Sequence, residues 1–400
     1  MDPILNPFSP GAGCPPPALV GRDNVLEQAR ILLGRVLRKR SAKSMLLTGL
    51  RGVGKTVLLS KMEEMARREG YKTIKFEVQE DKSLAGLLIP QLKTLLYELH
   101  SSGGANAAVR RALSALKNFI KVIKVQVNLG EIGIGVEAIP GLSDSGDMDA
   151  DLPTLFQAAA EAARERNTGI ALLMDEVQLL SQEELNALIL AMHQLQQSQA
   201  PMVLIGAGLP TLPRLAGEAK SYAERLFSYP IIDQLSRDES FQALESPVFQ
   251  EGADFTPEAM SVIYERTKGY PYFLQEWGAQ AWNQAAANKI TLGDIIKAEP
   301  LVVRNLDEDF FRVRFDRLTD GEKRFMRAMA ELDDSGCQVG NVAQLLGVKN
   351  TAVSLTRSNL IRKGMIYSPR HGVIDYSVPL FGDFLRRAIP EFTPGIRKSR

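Results

Sequence analysis

Over the first 235 residues of this 400-residue chain, short apolar runs alternate with longer stretches whose apolar residues recur every three to four positions. SMLLT (44–48), YKTIKFEV (71–78), GIALLMDE (169–176), PMVLIG (201–206) and YPIID (229–233) read as strands. GIALLMDE and PMVLIG have the continuous apolar character of strands covered on both faces of a parallel sheet. Residues 22–39, 57–70, 83–99, about 105–119, about 152–165 and 181–197 carry the helical period; Gly70 is a C-cap, and Ser181 with Glu184 has capping-box spacing. Strands alternating with helices predict a three-layer α/β sheet with right-handed crossovers. From Ser236 to about Ala298 the pattern is helical throughout, a small lid in which Thr256-Pro257-Glu258 opens one helix and Gly269 closes it. The last hundred residues read as a helix capped by Thr319 and Glu322, a helix–turn–helix with its turn at Gly347, then strand, turn and strand, which is the order of a winged helix.

Three segments depart from these patterns. Residues 1–18 are rich in Pro and Gly and predict an extended, unpacked arm. Residues 121–138 alternate apolar and polar positions around Leu129-Gly130, the signature of a β-hairpin, and GLSDSGDMDAD (141–151) reads as a flexible acidic linker. The expected organisation is therefore an arm (1–18), a sheet domain (19–235, with the hairpin inserted at 121–138), a helical lid (236–300) and a winged-helix domain (305–390).

The chemistry concentrates where the first strand ends. GLRGVGKT, Gly49–Thr56, matches G-x-x-x-x-G-K-[ST] and lies between a strand and a helix, the context in which that pattern binds phosphate. Gly49, Gly52 and Gly54 let backbone N–H groups turn inward around phosphate oxygens, and the following helix adds the positive end of its dipole. Lys55 is expected to bridge the β- and γ-phosphates, and the Thr56 hydroxyl to ligate Mg²⁺. Arg51, Val53 and Val57 are candidate contacts by position in or beside the loop. Asp175 and Glu176 close the strand GIALLMDE, at the sheet edge where open α/β sheets bind ligands. Asp175 is a candidate to hold Mg²⁺ through water or Thr56, and Glu176 the residue that polarises the attacking water. The set predicts an ATPase that converts ATP and water to ADP and phosphate. Arg225, just before the fifth strand, is either an arginine finger that reaches the γ-phosphate of a neighbouring copy or a structural ion-pair partner. Arg22 faces phosphate or anchors the first helix.

Composition sharpens this only a little. A net charge of +1, 45% hydrophobic and 24% charged residues describe an ordinary globular chain. The charge is uneven, however: from Lys349 onward ten Lys/Arg stand against three Asp/Glu, compatible with nucleic acid or with a solvated surface. The two cysteines, Cys14 and Cys337, offer neither metal spacing nor a disulfide framework, and no run approaches the ~20 apolar residues of a membrane span, so a cytoplasmic setting is expected. His100, His193 and His371 have no ligand spacing, and Trp277 and Trp282 read as packing residues of one lid helix. In the winged helix, Lys349, Asn350, Thr351, Ser354, Arg357 and Ser358 are expected on the outer face of the second helix of the motif, with Arg370 and His371 at the wing tip. They are candidate DNA contacts. The rival reading is a module for protein contacts or autoinhibition.

Taken in order, LVGRDN, GLRGVGKT, LLMDE, GAGLP, SYAERLF and GYPYFLQE resemble the AAA+-related P-loop ATPases of the origin-initiator and signal-transduction (STAND) kinds over residues 19–290. The C-terminal winged helix extends the likeness to most of the chain. The resemblance implies an adenine pocket between Val20-Gly21-Arg22 and the lid, with Pro271 beside the base, and an ATP-dependent angle between sheet domain and lid. Two positions depart from the family. PMVLIG ends in Gly206-Ala207-Gly208 without a polar residue to sense the γ-phosphate, and the lid helix after Gly269 carries Tyr272, Gln275 and Glu276 but no arginine before Trp282. Slow turnover, with ATP acting as a conformational switch, is the expectation.

Overall fold

The computed structural model describes residues 1–11, 13–101, 107–123, 137, 139–332 and 336–395. They fall into two compact units. The first holds Asp23–Thr48 and Lys55–Ile231; the second holds Met1–Arg22, Gly49–Gly54 and the chain from Ile232 onward. The boundary runs through the phosphate motif, so its loop belongs to one unit and Lys55 and Thr56 to the other.

The first unit is the α/β sheet. Its elements are α1 (Asp23–Leu37), β1 (Ser44–Thr48), α2 (Lys55–Arg68), β2 (Lys72–Glu77), α3 (Leu84–Ser101), α4 (Ala107–Val122), α5 (Met148–Arg164), β3 (Ile170–Asp175), α6 (Gln182–Gln197), β4 (Met202–Gly208), α7 (Leu212–Ala219), α8 (Ala223–Leu226) and β5 (Phe227–Ser228). All five strands are parallel, in the order β2-β3-β4-β1-β5. β1, β3 and β4 are buried at every position, as their unbroken apolar runs require. The register pairs Met174 of β3 with Gly206 of β4, and Thr48 of β1 with Gly208. Asp175 and Thr48 thus end their strands at one edge of the sheet, with β4 between them. Buried leucines and alanines of α3–α6 form a single apolar core with the sheet.

Four details differ from the expectation. YPIID is not the fifth strand: β5 is Phe227–Ser228, and Ile231 makes only an isolated bridge to Thr48. Pro230 has no N–H to give a ladder, although its carbonyl accepts from Thr48 N at 2.9 Å. Residues 141–151 are not a flexible linker. The buried Asp151 carboxylate accepts from Ser145 N (3.1 Å), Ser145 Oγ (2.9 Å) and Gly146 N (2.9 Å), and Asn118 Nδ2 donates to the carbonyls of Ile139 (2.7 Å) and Leu142 (2.9 Å). Buried polar groups are held when they are paired in this way. Asp147 then caps α5, which starts four residues before Leu152. As for the expected hairpin, Lys121 and Val122 still belong to α4, whereas 124–136 and 138 lie outside the described residues.

The second unit contains α9 (Arg237–Gln250), β6 (Asp254–Phe255), α10 (Pro257–Thr267), α11 (Pro271–Gln284), β7 (Lys289–Ile290), α12 (Leu292–Asn305), a π-helical turn (Leu306–Arg312) and α13 (Val313–Phe315). These lead into α14 (Asp320–Met329), β8 (Cys337–Gln338), α15 (Val339–Leu345), α16 (Ser354–Arg362), β9 (Ile366–Tyr367), β10 (Val373–Tyr376) and α17 (Phe381–Ala388). α9 to α12 are the helical lid. α14 to α17 with the antiparallel sheet β8-β10-β9 form a winged-helix-like fold. The N-terminal arm is packed rather than free. Phe8 is buried against Gly278 of α11, Asn6 Nδ2 donates to Ala279 O (2.9 Å), and Trp282 Nε1 donates to Asp2 O (2.8 Å). Lid and winged helix follow one another through helix: α12, the π turn and α13 run from Leu292 to Phe315 without a linker. Tyr272 of α11 stacks on Phe310 (centroids 4.5 Å apart), and Phe311 packs on Phe381 (5.6 Å) and Phe384 (5.3 Å) of α17. These aromatics give the two modules a shared core.

Candidate functional site: a phosphate loop and its carboxylates

The loop Gly49–Gly54 is built on backbone that only glycine serves well. A Cβ on Gly49 would sit 2.1 Å from the Ile232 carbonyl oxygen. Gly52 and Gly54 have φ of +86° and +93°, outside the range L side chains favour. No atom lies within 4 Å of where a Gly54 Cβ would point. Open space beside a glycine-rich turn of this kind is what a phosphate can fill.

Three of the loop residues have named partners. The Arg51 N–H donates to Ser377 O at 3.0 Å, immediately after β10 of the winged helix. The Arg51 guanidinium lies against Gly364, at the end of α16, where a Cβ would be 2.6 Å from Nη2. The Gly52 carbonyl accepts from Tyr272 N at 3.3 Å, one residue after Pro271 opens α11. Val53 is buried, and its carbonyl accepts from Arg22 Nη2 at 3.3 Å; the same nitrogen donates to Asp233 O at 2.6 Å. Burial lowers the Arg22 guanidinium from its usual value, with Glu239 and Asp233 opposing the shift. The arginine therefore ties the Val20-Gly21-Arg22 segment to the loop. Val20 and Pro271 are both half-buried. Burial, aided by Asp233, pushes the Tyr270 phenol up to about 12, so it stays neutral beside them.

In the sheet unit, Lys55 is buried and Val57 half-buried at the start of α2. The Thr56 hydroxyl donates to Asp175 Oδ2 at 2.6 Å, which joins the helix after the loop to the end of β3. Asp175 Oδ1 accepts the Glu176 N–H at 2.9 Å. Glu176 adopts a left-handed conformation, φ 52° and ψ 39°. Strain of this kind costs ~1–3 kcal/mol for a non-glycine residue and gathers at functional sites. Among the described residues no group of three or more His, Cys, Asp or Glu could hold a metal by itself. A divalent ion bound mainly by phosphate oxygens needs no such cage, and the Thr56–Asp175 pair fits that role.

The remaining candidates are dispersed. Arg225 is exposed in α8, two residues before β5 begins. Lys349, Asn350, Thr351, Ser354, Ser358, Arg370 and His371 are exposed on the winged helix, whereas Arg357 is half-buried and its Nε is buried without a hydrogen-bond partner. Ser377 and Gly364 carry no motif. No pattern in the sequence signals that they touch the phosphate loop, because a backbone carbonyl and a close approach leave no side-chain signature.

Residues 18–205 match the AAA ATPase domain family, and residues 308–385 match a domain of unknown function (DUF8462). No curated protein matches the chain. Among solved structures, the Walker-type ATPase PabY2304 of Pyrococcus abyssi is similar over 92% of this chain and 96% of its own, at 15% identity and a TM-score of 0.55. The RuvB Holliday junction branch migration motor of Thermotoga maritima aligns over 94% and 96% (15% identity, TM-score 0.43). The ORC1 protein of Aeropyrum pernix, solved in complex with DNA, aligns over 92% and 93% (15% identity, TM-score 0.42). The P. abyssi likeness shows a shared fold. Residues 18–205 thus match the AAA ATPase domain family, and the chain as a whole has the fold of a P-loop sheet followed by a helical lid and a winged-helix-like C-terminal region.

Proposed function

We propose that this ATPase is a nucleotide-dependent switch whose winged helix engages DNA. The observation that carries the reading is the double attachment of the phosphate loop: Arg51 N–H to Ser377 of the winged helix, Gly52 carbonyl to Tyr272 of the lid. A loop that closes on phosphate must adjust these same backbone groups, so ATP and the winged helix bias one structural element. In this reading the loop amides and Lys55 hold the β- and γ-phosphates, with Val20, Arg22 and Pro271 beside the base. Thr56 and Asp175 hold Mg²⁺, which when bound neutralises charge developing on the phosphate oxygens. Glu176 orients the attacking water. Without polar residues at Gly206–Gly208, or an arginine before Trp282 on α11, hydrolysis is slow.

For the DNA half, Lys349, Asn350, Ser354 and Arg370 supply exposed donors on the helix–turn–helix and wing, and Arg357 a half-buried one. Two unpaired thiols suit a reducing, cytoplasmic compartment, and no described helix is long and apolar enough to cross a membrane. Fluorescence anisotropy with labelled duplex, with and without ATP and across a salt series, tests this. Affinity that falls steeply with salt and changes with ATP is expected; no binding even at low salt removes DNA as the partner. One observation favours a second reading, a signalling switch with a protein-binding winged helix. Leu355 is 73% exposed on α16, and Val348, between α15 and α16, is exposed as well. That alternative predicts nucleotide-dependent changes of assembly with no dependence on DNA.

A further inference from the structure

Gln178 lies in the 3₁₀ turn Val177–Leu179 that follows Glu176. Its Oε1 accepts from Leu209 N at 3.0 Å, just past the end of β4, and its Nε2 donates to the Glu176 carboxylate. The first bond fixes which way the amide faces: with the oxygen claimed by a backbone donor, the NH₂ is turned to the carboxylate. The two glycines of β4 that stand where a polar residue was expected have a role in this arrangement. A Cβ on Gly208 would lie 2.5 Å from Gln178 Oε1, and one on Gly206 would lie 2.6 Å from Leu46 Cδ2 and 3.0 Å from Val177 Cγ2. A side chain at Gly208 would displace the Gln178 amide, and one at Gly206 would press on Leu46 and on Val177 of the turn.

We propose that Gln178 is a positioning residue for ATP hydrolysis, which orients the Glu176 carboxylate from the end of β4. The inference rests on Glu176 acting on the attacking water. Backbone N–H of Leu209, carboxamide of Gln178 and carboxylate of Glu176 form one relay, and the missing side chain at Gly208 leaves room for the Gln178 amide in it. A displacement of a reacting group by about 1 Å can cost ~100-fold in rate, so a fixed carboxylate is of direct kinetic value.

Single-turnover hydrolysis and ATP affinity, measured on the full chain, test the proposal with four variants. Gln178→Glu is nearly isosteric and keeps an acceptor for Leu209 N, yet it replaces the donor with a like charge facing Glu176. It and Gln178→Ala are expected to lower the hydrolysis rate about 10-fold or more while leaving the dissociation constant for ATP within twofold. Gly208→Ala, which displaces the amide by contact, is expected to reproduce the loss. On a Glu176→Gln background, Gln178→Ala should add nothing further, since the two act as one unit. Wild-type rates in both Gln178 variants, or a full additive loss on top of Glu176→Gln, would overturn the proposal. Wild-type hydrolysis by Glu176→Gln itself would instead remove the role of Glu176, a separable failure.

Discussion

In the proposed reading Lys55 serves ATP binding and Glu176 serves hydrolysis, so the two can be tested apart. Lys55→Ala removes a buried lysine that the proposed reading assigns to the β- and γ-phosphates, and the expected result is loss of ATP binding at micromolar concentrations in a fluorescent-nucleotide titration. Glu176→Gln keeps the shape and the loop, so binding persists and turnover falls, by at least tenfold in a phosphate-release assay. Equal turnover in wild type and Gln variant would move the water-orienting role elsewhere. The two cysteines give an independent check on the described packing. Burial, with Asp375 adding to it, pushes the Cys337 thiol up to about 11, whereas Cys14 is exposed. Iodoacetamide at pH 8 should therefore label Cys14 in the native protein and Cys337 only after denaturation, as read by peptide mass. The sign of the linkage follows: the native state holds the Cys337 proton more tightly, so its stabilisation is complete below the unfolded value near 9 and is lost as pH rises through about 11.

Among the elements, the ones that bury both faces were the most legible. β1, β3 and β4 lie where their continuous apolar runs place them, and the capping boxes at Ser181 and Thr319 open helices one residue later. The loop, Lys55, Thr56 and Asp175 stand out in the sequence because residue type and spacing single them out, and the structure joins Thr56 to Asp175. The errors have physical causes of another kind. β5 is two residues long at a sheet edge and slid by two positions, since a short edge strand imposes little pattern. The 141–151 segment looked flexible because its order comes from carboxylate and amide hydrogen bonds rather than apolar contacts. The arm is ordered by Phe8 packing on Gly278 and by the Trp282 indole donating to Asp2 O, contacts between residues far apart in sequence. β8 and α17 went unread, and α17 carries the phenylalanines that meet the π turn. Phe311→Ala, which removes the ring shared by Phe273, Phe381 and Phe384, is expected to cost ~3–5 kcal/mol in urea unfolding. A change below about 1 kcal/mol would mean that lid and winged helix do not share that core.

For the whole molecule, the question is how a nucleotide bound at one loop reaches a distant surface. The described contacts give a short route: phosphate loop, Arg51, Ser377, and then β10 and α16 of the winged helix. The aromatic core from Tyr272 through Phe310 and Phe311 to α17 reinforces it. Assembly is a further layer. If the exposed Arg225 acts on a neighbouring copy, turnover per chain rises with protein concentration, and Arg225→Ala abolishes the rise; strict proportionality favours an ion-pair role. Coupling of ATP to DNA obeys linkage, so each ligand must change the affinity for the other by the same factor. The most direct measurement is the ATP dissociation constant of the hydrolysis-deficient Glu176→Gln protein at low salt, with and without saturating duplex DNA. The switch predicts a shift of about fivefold or more between the two; an ATP affinity that DNA at saturation leaves unchanged would contradict it.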